Sequence, residues 1–504
     1  MLPIKLIVTS KKTLEFKYGT NFSKIEAAIK RMQRADKIKR LDTKLVYIDD
    51  AASCKSAGIK KLKLLSEQEC KRVVDDLYKK HTPAYIVLLG AGDVIPFQEI
   101  LNPAEDDDKY VLSDLPYACE PGYNNLIDAF TGPTRVVGRI PDMPGKQKNA
   151  AFLLTVIRNA INHKSLTEAQ YHKYFAVTAQ VWKKSTEISL QSMFADHSKM
   201  LSSPLKMENI AAKYSKSQLK PLTHFYNCHG AKTDPEYYGQ RGRSYPSALA
   251  SSNLANNISP GTIVAAECCY GAELYDASVL QPAAPAICHT YLQNGAVAFV
   301  GSSSIAYGPA DSNALADLIT QYFIKSVLKG DVSTGRGFLE ARQRFLTDSG
   351  PQLDPYELKT LAQFYLLGDP SIVPVLPPAP VTNKSVPGTT IYNTRAALST
   401  KGIGLQQTIE PSKKQTKRQS ARSDNKVFNA LLKETSFENA GKELVYSIDT
   451  KHSGKGTQKM VTGENARYRT FIKEGQTEDI INIKVLVVKE DAEQVLGWRV
   501  YESR

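Results

Sequence analysis

Two short stretches hold the residue types that could break a covalent bond. Residues 223–231 read THFYNCHGA and residues 261–274 read GTIVAAECCYGAEL. Each opens as an apolar run of strand length and closes on reactive side chains followed by glycine. The first ends in Cys228, His229 and Gly230, the second in Glu267, Cys268, Cys269, Tyr270 and Gly271. A thiol is mostly protonated near neutral pH, with an unperturbed pKa of about 8.5. An imidazole within reach can take that proton and later return one to a leaving amine. The combination points to amide cleavage by a cysteine–histidine pair. Gly230 and Gly271 allow sharp turns and close approach of a substrate. The backbone N–H groups of Gly230 and Cys269 are candidates for holding a developing oxyanion. A lone histidine after a strand, or a lone buried cysteine, is usually structural. Here both occur, at two comparable strand ends. His224 reads as structural, and the other histidines lack the glycine turn.

For these residues to meet, the two runs must be neighbouring parallel strands. In open α/β sheets, reactive groups gather at the carboxyl edge. Forty residues separate His229 from Cys269, enough for one crossover connection. The rest of the chain supports such a sheet. The N-terminal run MLPIKLIVTS, LVYIDD (45–50), AYIVLLG (84–90), GPTRVVGRIPDMPG (132–145), KYFAVTAQ (173–180) and GAVAFVGSS (295–303) read as further strands. SEQECKRVVDDLYKKH (66–81) reads as a capped helix. Residues 311–330 read as a helix with Asp311 as N-cap and Gly330 past its end, and 333–348 as another. Alternation of strand and helix implies a mostly parallel sheet with helices on its faces.

Composition changes after residue 376. Residues 377–426 are polar and basic, with Lys413, Lys414, Lys417, Arg418, Arg422 and Lys426 close together, and read as a linker. Four apolar runs beyond it, ending in QVLGWRVYES, read as a small β-rich domain at 427–504. The expected organisation is an N-terminal α/β subdomain (1–150), a catalytic subdomain (151–376), the linker and the tail domain.

The chain has 504 residues, of which 42% are hydrophobic, which excludes a disordered chain or a disulfide-stapled miniprotein. A formal net charge of +14 favours acidic partners, yet no nucleic-acid-binding module stands out. A polyanion contact through 412–426 is the minor alternative, marked by steep salt dependence. The seven cysteines are irregularly spaced, without a paired zinc knuckle, so no metal or other cofactor is expected. Free thiols, no secretion signal and no apolar run of spanning length lead to an expected cytoplasmic location without membrane contact.

The order of motifs resembles the gingipain-like cysteine peptidases of the caspase-like clan. YIVLLGAGDVIP (85–96), SDLPY (113–117), RVVGRIP (135–141), YNCHGA (226–231), AECCYGA (266–272), AFVGSSSIAYG (298–308) and LLGDPSIVPV (366–375) carry the likeness. It implies a caspase-like α/β fold and a cysteine endopeptidase without a cofactor. His229 takes the place of the general acid/base. The nucleophile falls on Cys268 by a Cys-x-x-Gly count and on Cys269 by the acid–small–Cys and Cys-x-Gly patterns; Cys269 is preferred. The residue two before the nucleophile, Glu267, would sit in the primary pocket and pair with arginine, or with lysine, in the substrate.

Some gingipain relatives carry a carboxylate before the Gly-Arg strand that orients the histidine. Pro133, Thr134 and Arg135 stand there, so no third catalytic residue is assigned. Ser302–Ser304 and Tyr307 are candidate pocket walls. Arg418 and Arg422 are candidate self-cleavage sites. The expected partner is a protein substrate, and the tail domain is a candidate site for a regulatory protein, for substrate recognition or for blocking the cleft. The alternative is a caspase-like scaffold without chemistry, though such relatives typically lack one of the two catalytic residues.

Overall fold

A computed structural model describes residues 2–147, 149–203, 213–350, 352–377, 426–447, 467–477, 480–491 and 494–504. The first part contributes strands β1 (Ile4–Thr9), β2 (Asp42–Tyr47), β3 (Tyr85–Leu89), β4 (Gln98–Leu101), β5 (Tyr110–Ser113) and β6 (Val137–Ile140). The middle contributes β7 (Tyr174–Ala179), β8 (Leu201–Ser203), β9 (Thr223–Asn227), β10 (His229–Gly230), β11 (Glu236–Tyr238), β12 (Ser247–Ala250), β13 (Ile263–Ala266), β14 (Ala298–Ser302), β15 (Tyr307–Gly308) and β16 (Phe364–Gly368). The tail contributes β17 (Lys442–Ser447), β18 (Arg467–Thr477), β19 (Ile480–Asp491) and β20 (Gln494–Ser503).

Ten strands form one sheet in the order β2-β1-β3-β6-β16-β14-β13-β9-β7-β8. The strands are parallel within each half, and the halves meet where β14 runs antiparallel to β16. Every residue of β7, β9, β13, β14 and β16 is buried. Burial on both faces accounts for their near-continuous apolar sequences. Helices flank the sheet. The expected segment at 66–81 forms Glu67–His81, with the Ser66 side chain capping it, and the segment at 333–348 forms Thr334–Ser349, capped by Ser333.

One expected boundary is wrong. The helix after β15 starts at Leu315, not after Asp311, because Pro309 and its neighbours line a pocket instead of winding into a first turn. Asp317, in that first turn, accepts from the Ala314 N–H. The charged stretch behind β1 forms two helices, Lys11–Tyr18 and Phe22–Ile38, that its sequence pattern did not single out.

Several motif residues serve packing. Arg139 of the Gly-Arg strand forks onto Asp114 of SDLPY at 2.6 and 2.9 Å. Asp369 of the Gly-Asp-Pro turn pairs with the fully buried Lys5. A side chain on Gly138 would collide with Pro370. Arg135 pairs with Asp75, away from the histidine.

The tail strands form an antiparallel meander, β17-β18-β19-β20, and β20 pairs in turn with β15 of the main body. Its small core gathers Phe428, Leu431, Phe437, Phe471, Leu486 and Val488. Residues 378–425, including Arg418, Arg422 and most of the basic cluster, lie outside the described residues. No helix among the described residues is long and apolar enough to cross a membrane.

Candidate active site

Strands β9 and β13 are direct parallel neighbours, and their partners Thr223–Ile263 to Tyr226–Ala266 keep a constant offset of forty residues. The Glu267 N–H continues that ladder onto the Tyr226 carbonyl. The same offset separates His229 from Cys269, so both leave the carboxyl edge at one height. Register thus brings the histidine and the cysteine block together. Gly230 is needed at this crossing: a Cβ there would stand 1.9 Å from the Cys269 carbonyl oxygen.

The cleft they share is occupied by the C-terminal end of β20. Arg504, completely buried, lies across both blocks. Its carbonyl oxygen accepts from the Cys269 N–H at 3.1 Å and, at a longer 3.5 Å, from the Gly230 N–H. Its own N–H donates to the Ala306 carbonyl. The two preceding residues continue the pairing, Ser503 opposite Tyr307 and Glu502 opposite Gly308.

The Arg504 guanidinium fills a polar pocket. One amino group donates to Asn227 at 2.8 Å. The other donates to both oxygens of Asp317, at 2.9 and 3.2 Å, and to the Pro309 carbonyl at 2.9 Å. The Trp182 ring lies 4.6 Å beneath the guanidinium. Gly308 opens the way in, since a Cβ there would sit 2.2 Å from the guanidinium. Asn227 is the last residue of β9, while Asp317 comes from the helix Leu315–Leu328.

Glu267 stands one layer behind. Its Oε1 accepts from Thr320 at 2.9 Å, while its buried Oε2 faces no donor. Burial, and then the Asp317 carboxylate beside it, raise the Glu267 pKa well above the ordinary value. Two adjacent buried carboxyls cannot both ionise easily. Arg504, Ser185 and the Ala314 N–H all donate to Asp317. Asp317, unmarked by any motif, makes the contact with the Arg504 guanidinium, and Glu267 stands behind it.

His229 is buried between the rings of Trp182 at 4.3 Å and Tyr245 at 5.1 Å. Its Nε2 lies 2.7 Å from Gln240 Oε1. The Gln240 amide nitrogen donates to the Gly242 carbonyl and to the Tyr245 hydroxyl, which fixes its oxygen toward the ring. Nε2 must then carry the proton, leaving a lone pair on Nδ1. Nδ1 is buried and has no hydrogen-bond partner. Burial pulls the His229 pKa down to about 4, against the opposing effect of the Gln240 hydrogen bond.

The Cys269 thiol lies against Ala306, whose N–H donates to Sγ at 3.3 Å. Burial pushes the Cys269 thiol up to about 12, so the resting pair is a neutral thiol and a neutral imidazole. Cys268, also fully buried, contacts Cys228 instead. The Ser302 and Ser304 hydroxyls bond within the loop and to Gln363, and Ser303 bonds to Leu112. Arg504 is bordered by Ala306–Pro309, through the Ala306 and Pro309 carbonyls and Gly308. Among the described residues there is no cluster that could hold a metal ion.

Residues 5–375 match the model of peptidase family C25. A solved structure described as "Structure of Protease" aligns over 99% of this chain and 96% of its own length, at 13% identity and a TM-score of 0.44. No curated protein matches the chain.

Proposed function

The chain belongs to peptidase family C25 and is a cysteine peptidase acting on protein substrates, and we propose that it cuts after arginine with Cys269 as nucleophile and His229 as general base. The observation supporting this most strongly is the seat of Arg504, with its side chain on Asp317 and its carbonyl on the Cys269 N–H. A substrate arginine in the same place would present its carbonyl carbon to Sγ. Nδ1 of His229 takes the thiol proton as Sγ attacks. The negative oxygen of the tetrahedral intermediate is held by the N–H groups of Cys269 and Gly230. The C–N bond then breaks, and the imidazolium gives its proton to the leaving nitrogen. Water, deprotonated by the same Nδ1, hydrolyses the thioester and restores the thiol.

Arginine is favoured over lysine because three acceptors surround the guanidinium in a fixed fork, which an ammonium meets only as a point charge. Cleavage after Arg418 or Arg422 would separate the tail from the catalytic unit. A peptidyl-arginine chloromethyl ketone tests the core of the reading. It should alkylate Cys269, located by peptide mass mapping, and should do so more slowly in His229→Ala. Alkylation of Cys268 instead, or a preference for an aspartyl reagent, would overturn it.

A further inference from the structure

We propose that the tail sheet is a tethered competitive inhibitor: Arg504 and β20 occupy the substrate groove in substrate polarity, and the peptidase is latent until the sheet lifts away. This rests on the reading of the cleft as an arginine-directed active site.

The occupant has the features of a substrate's acyl half. It lies antiparallel to β15, donates its Arg504 N–H to Ala306, buries a guanidinium and presents a carbonyl to the Cys269 N–H. The Trp182 indole donates to the Glu502 carboxylate at 3.2 Å, giving the third residue back its own contact. The groove is filled from the arginine pocket outward.

β20 pairs with only two residues of β15 but with β19 along nearly its whole length. Peeling it off β19 would sacrifice far more pairing than lifting the sheet as a unit. Beyond the groove, one face of the sheet packs Tyr468, Ile472, Ile483, Val485, Val487 and Tyr501 into the core of the main body, and polar links surround that patch. The Tyr501 hydroxyl donates to Asp354, Arg499 to Glu357, Tyr468 to the Gln352 carbonyl and Asn482 to Tyr245. Tyr245 is the ring against His229, so the sheet also leans on the base. A cavity of about 540 Å³, lined by Pro309, Asp311, Leu318, Glu434, Trp498 and Arg499 among others, lies at the junction. The sheet also carries a core of its own around Phe428, Phe471 and Leu486, so it can leave the main body as a unit, at the cost of exposing the apolar patch between them.

Tethering makes such an inhibitor effective. Because the tail belongs to the same chain, its docking is intramolecular, with an effective concentration that can reach roughly millimolar. Substrates with KM values of about 1 μM to 1 mM would compete poorly with it.

The test uses the full chain as wild type, Arg504→Glu and Arg499→Glu. Two rates are read: alkylation of Cys269 by iodoacetamide, mapped by mass spectrometry, and hydrolysis of an arginyl-amide reporter peptide. Arg504→Glu sets a carboxylate against Asp317 and should raise the alkylation rate roughly tenfold or more. A synthetic peptide spanning Gln494–Arg504 should slow it again. Arg499→Glu leaves the pocket intact and opposes Glu357, so a smaller increase is expected there even if Arg504→Glu folds poorly. Equal alkylation and hydrolysis rates in all three chains would overturn the latch while leaving the arginine-directed reading intact. Faster alkylation without arginyl hydrolysis would support the latch and sink that reading instead.

Discussion

The Cys269 N–H donates to the carbonyl oxygen of Arg504 at 3.1 Å, so the chain's own arginine marks where a scissile carbonyl would lie. The relationship links three things: the residue whose thiol would attack, the side chain that would be selected, and the strand that must leave first.

The pocket carboxylates should behave differently when neutralised. Asp317 accepts directly from the guanidinium, whereas Glu267 stands behind it with its pKa raised by burial. Measured in the Arg504→Glu chain, where release of the tail cannot mask the effect, Asp317→Asn should lower kcat/KM on arginyl peptides by about 100-fold, equivalent to ~3 kcal/mol for an unpaired buried cation. Glu267→Gln should cost only a few-fold. Steady-state kinetics on one arginyl reporter decides this; the reverse order would restore Glu267 as the primary contact.

Gly308 sets the width of the pocket entrance. With a Cβ at 2.2 Å from the guanidinium, Gly308→Ala should exclude arginine and lower arginyl hydrolysis by roughly tenfold or more. Because Arg504 of the same chain fills that pocket, the comparison is made within Arg504→Glu, where the added Cβ meets no resident guanidinium and the melting temperature should stay unchanged. Unchanged kinetics would mean that substrate arginine enters by another route.

Gln240 is a positioning residue, fixing the His229 tautomer from the far side of the ring. Gln240→Leu should lower kcat by roughly tenfold, the worth of one hydrogen bond, with little change in KM. Gln240→Glu places an anion on Nε2, which stabilises the imidazolium and raises the His229 pKa from its depressed value near 4. The acid limb of kcat/KM should then move to higher pH. An unmoved limb would show that Gln240 acts only in packing.

Burial holds the Cys269 thiol up at about 12 while the tail covers it. Desolvation disfavours the thiolate, so readmitting water lowers that pKa toward the ordinary value of about 8.5. The pH profile of iodoacetamide alkylation should therefore shift to lower pH in Arg504→Glu than in the wild type. A shift in the opposite direction would contradict a water-excluding role for the tail.

Much of this architecture was legible in the sequence because buried parallel strands write themselves as apolar runs. His229 and the cysteine pair stood out because each follows such a run and precedes glycine. The pocket was harder to read. Asp317 lies in the first turn of a helix, where an acid ordinarily complements the helix dipole and signals nothing more. Gln240 lies eleven residues past the histidine, brought back by the short β10–β11 pairing. Glu267 has the right place in the motif, but its pairing with Asp317 is a tertiary fact. The placement of the tail was invisible for the same reason: QVLGWRVYES reads as a strand, and nothing local tells where the arginine after it will lodge.

The most direct measurement is mass-spectrometric mapping of the bonds cut in a mixed peptide library by the Arg504→Glu chain, alone and combined with Cys269→Ala or Cys268→Ala. The account expects cuts after arginine that vanish with Cys269→Ala and persist with Cys268→Ala. Cuts after other residues, or cleavage that survives Cys269→Ala, would contradict it.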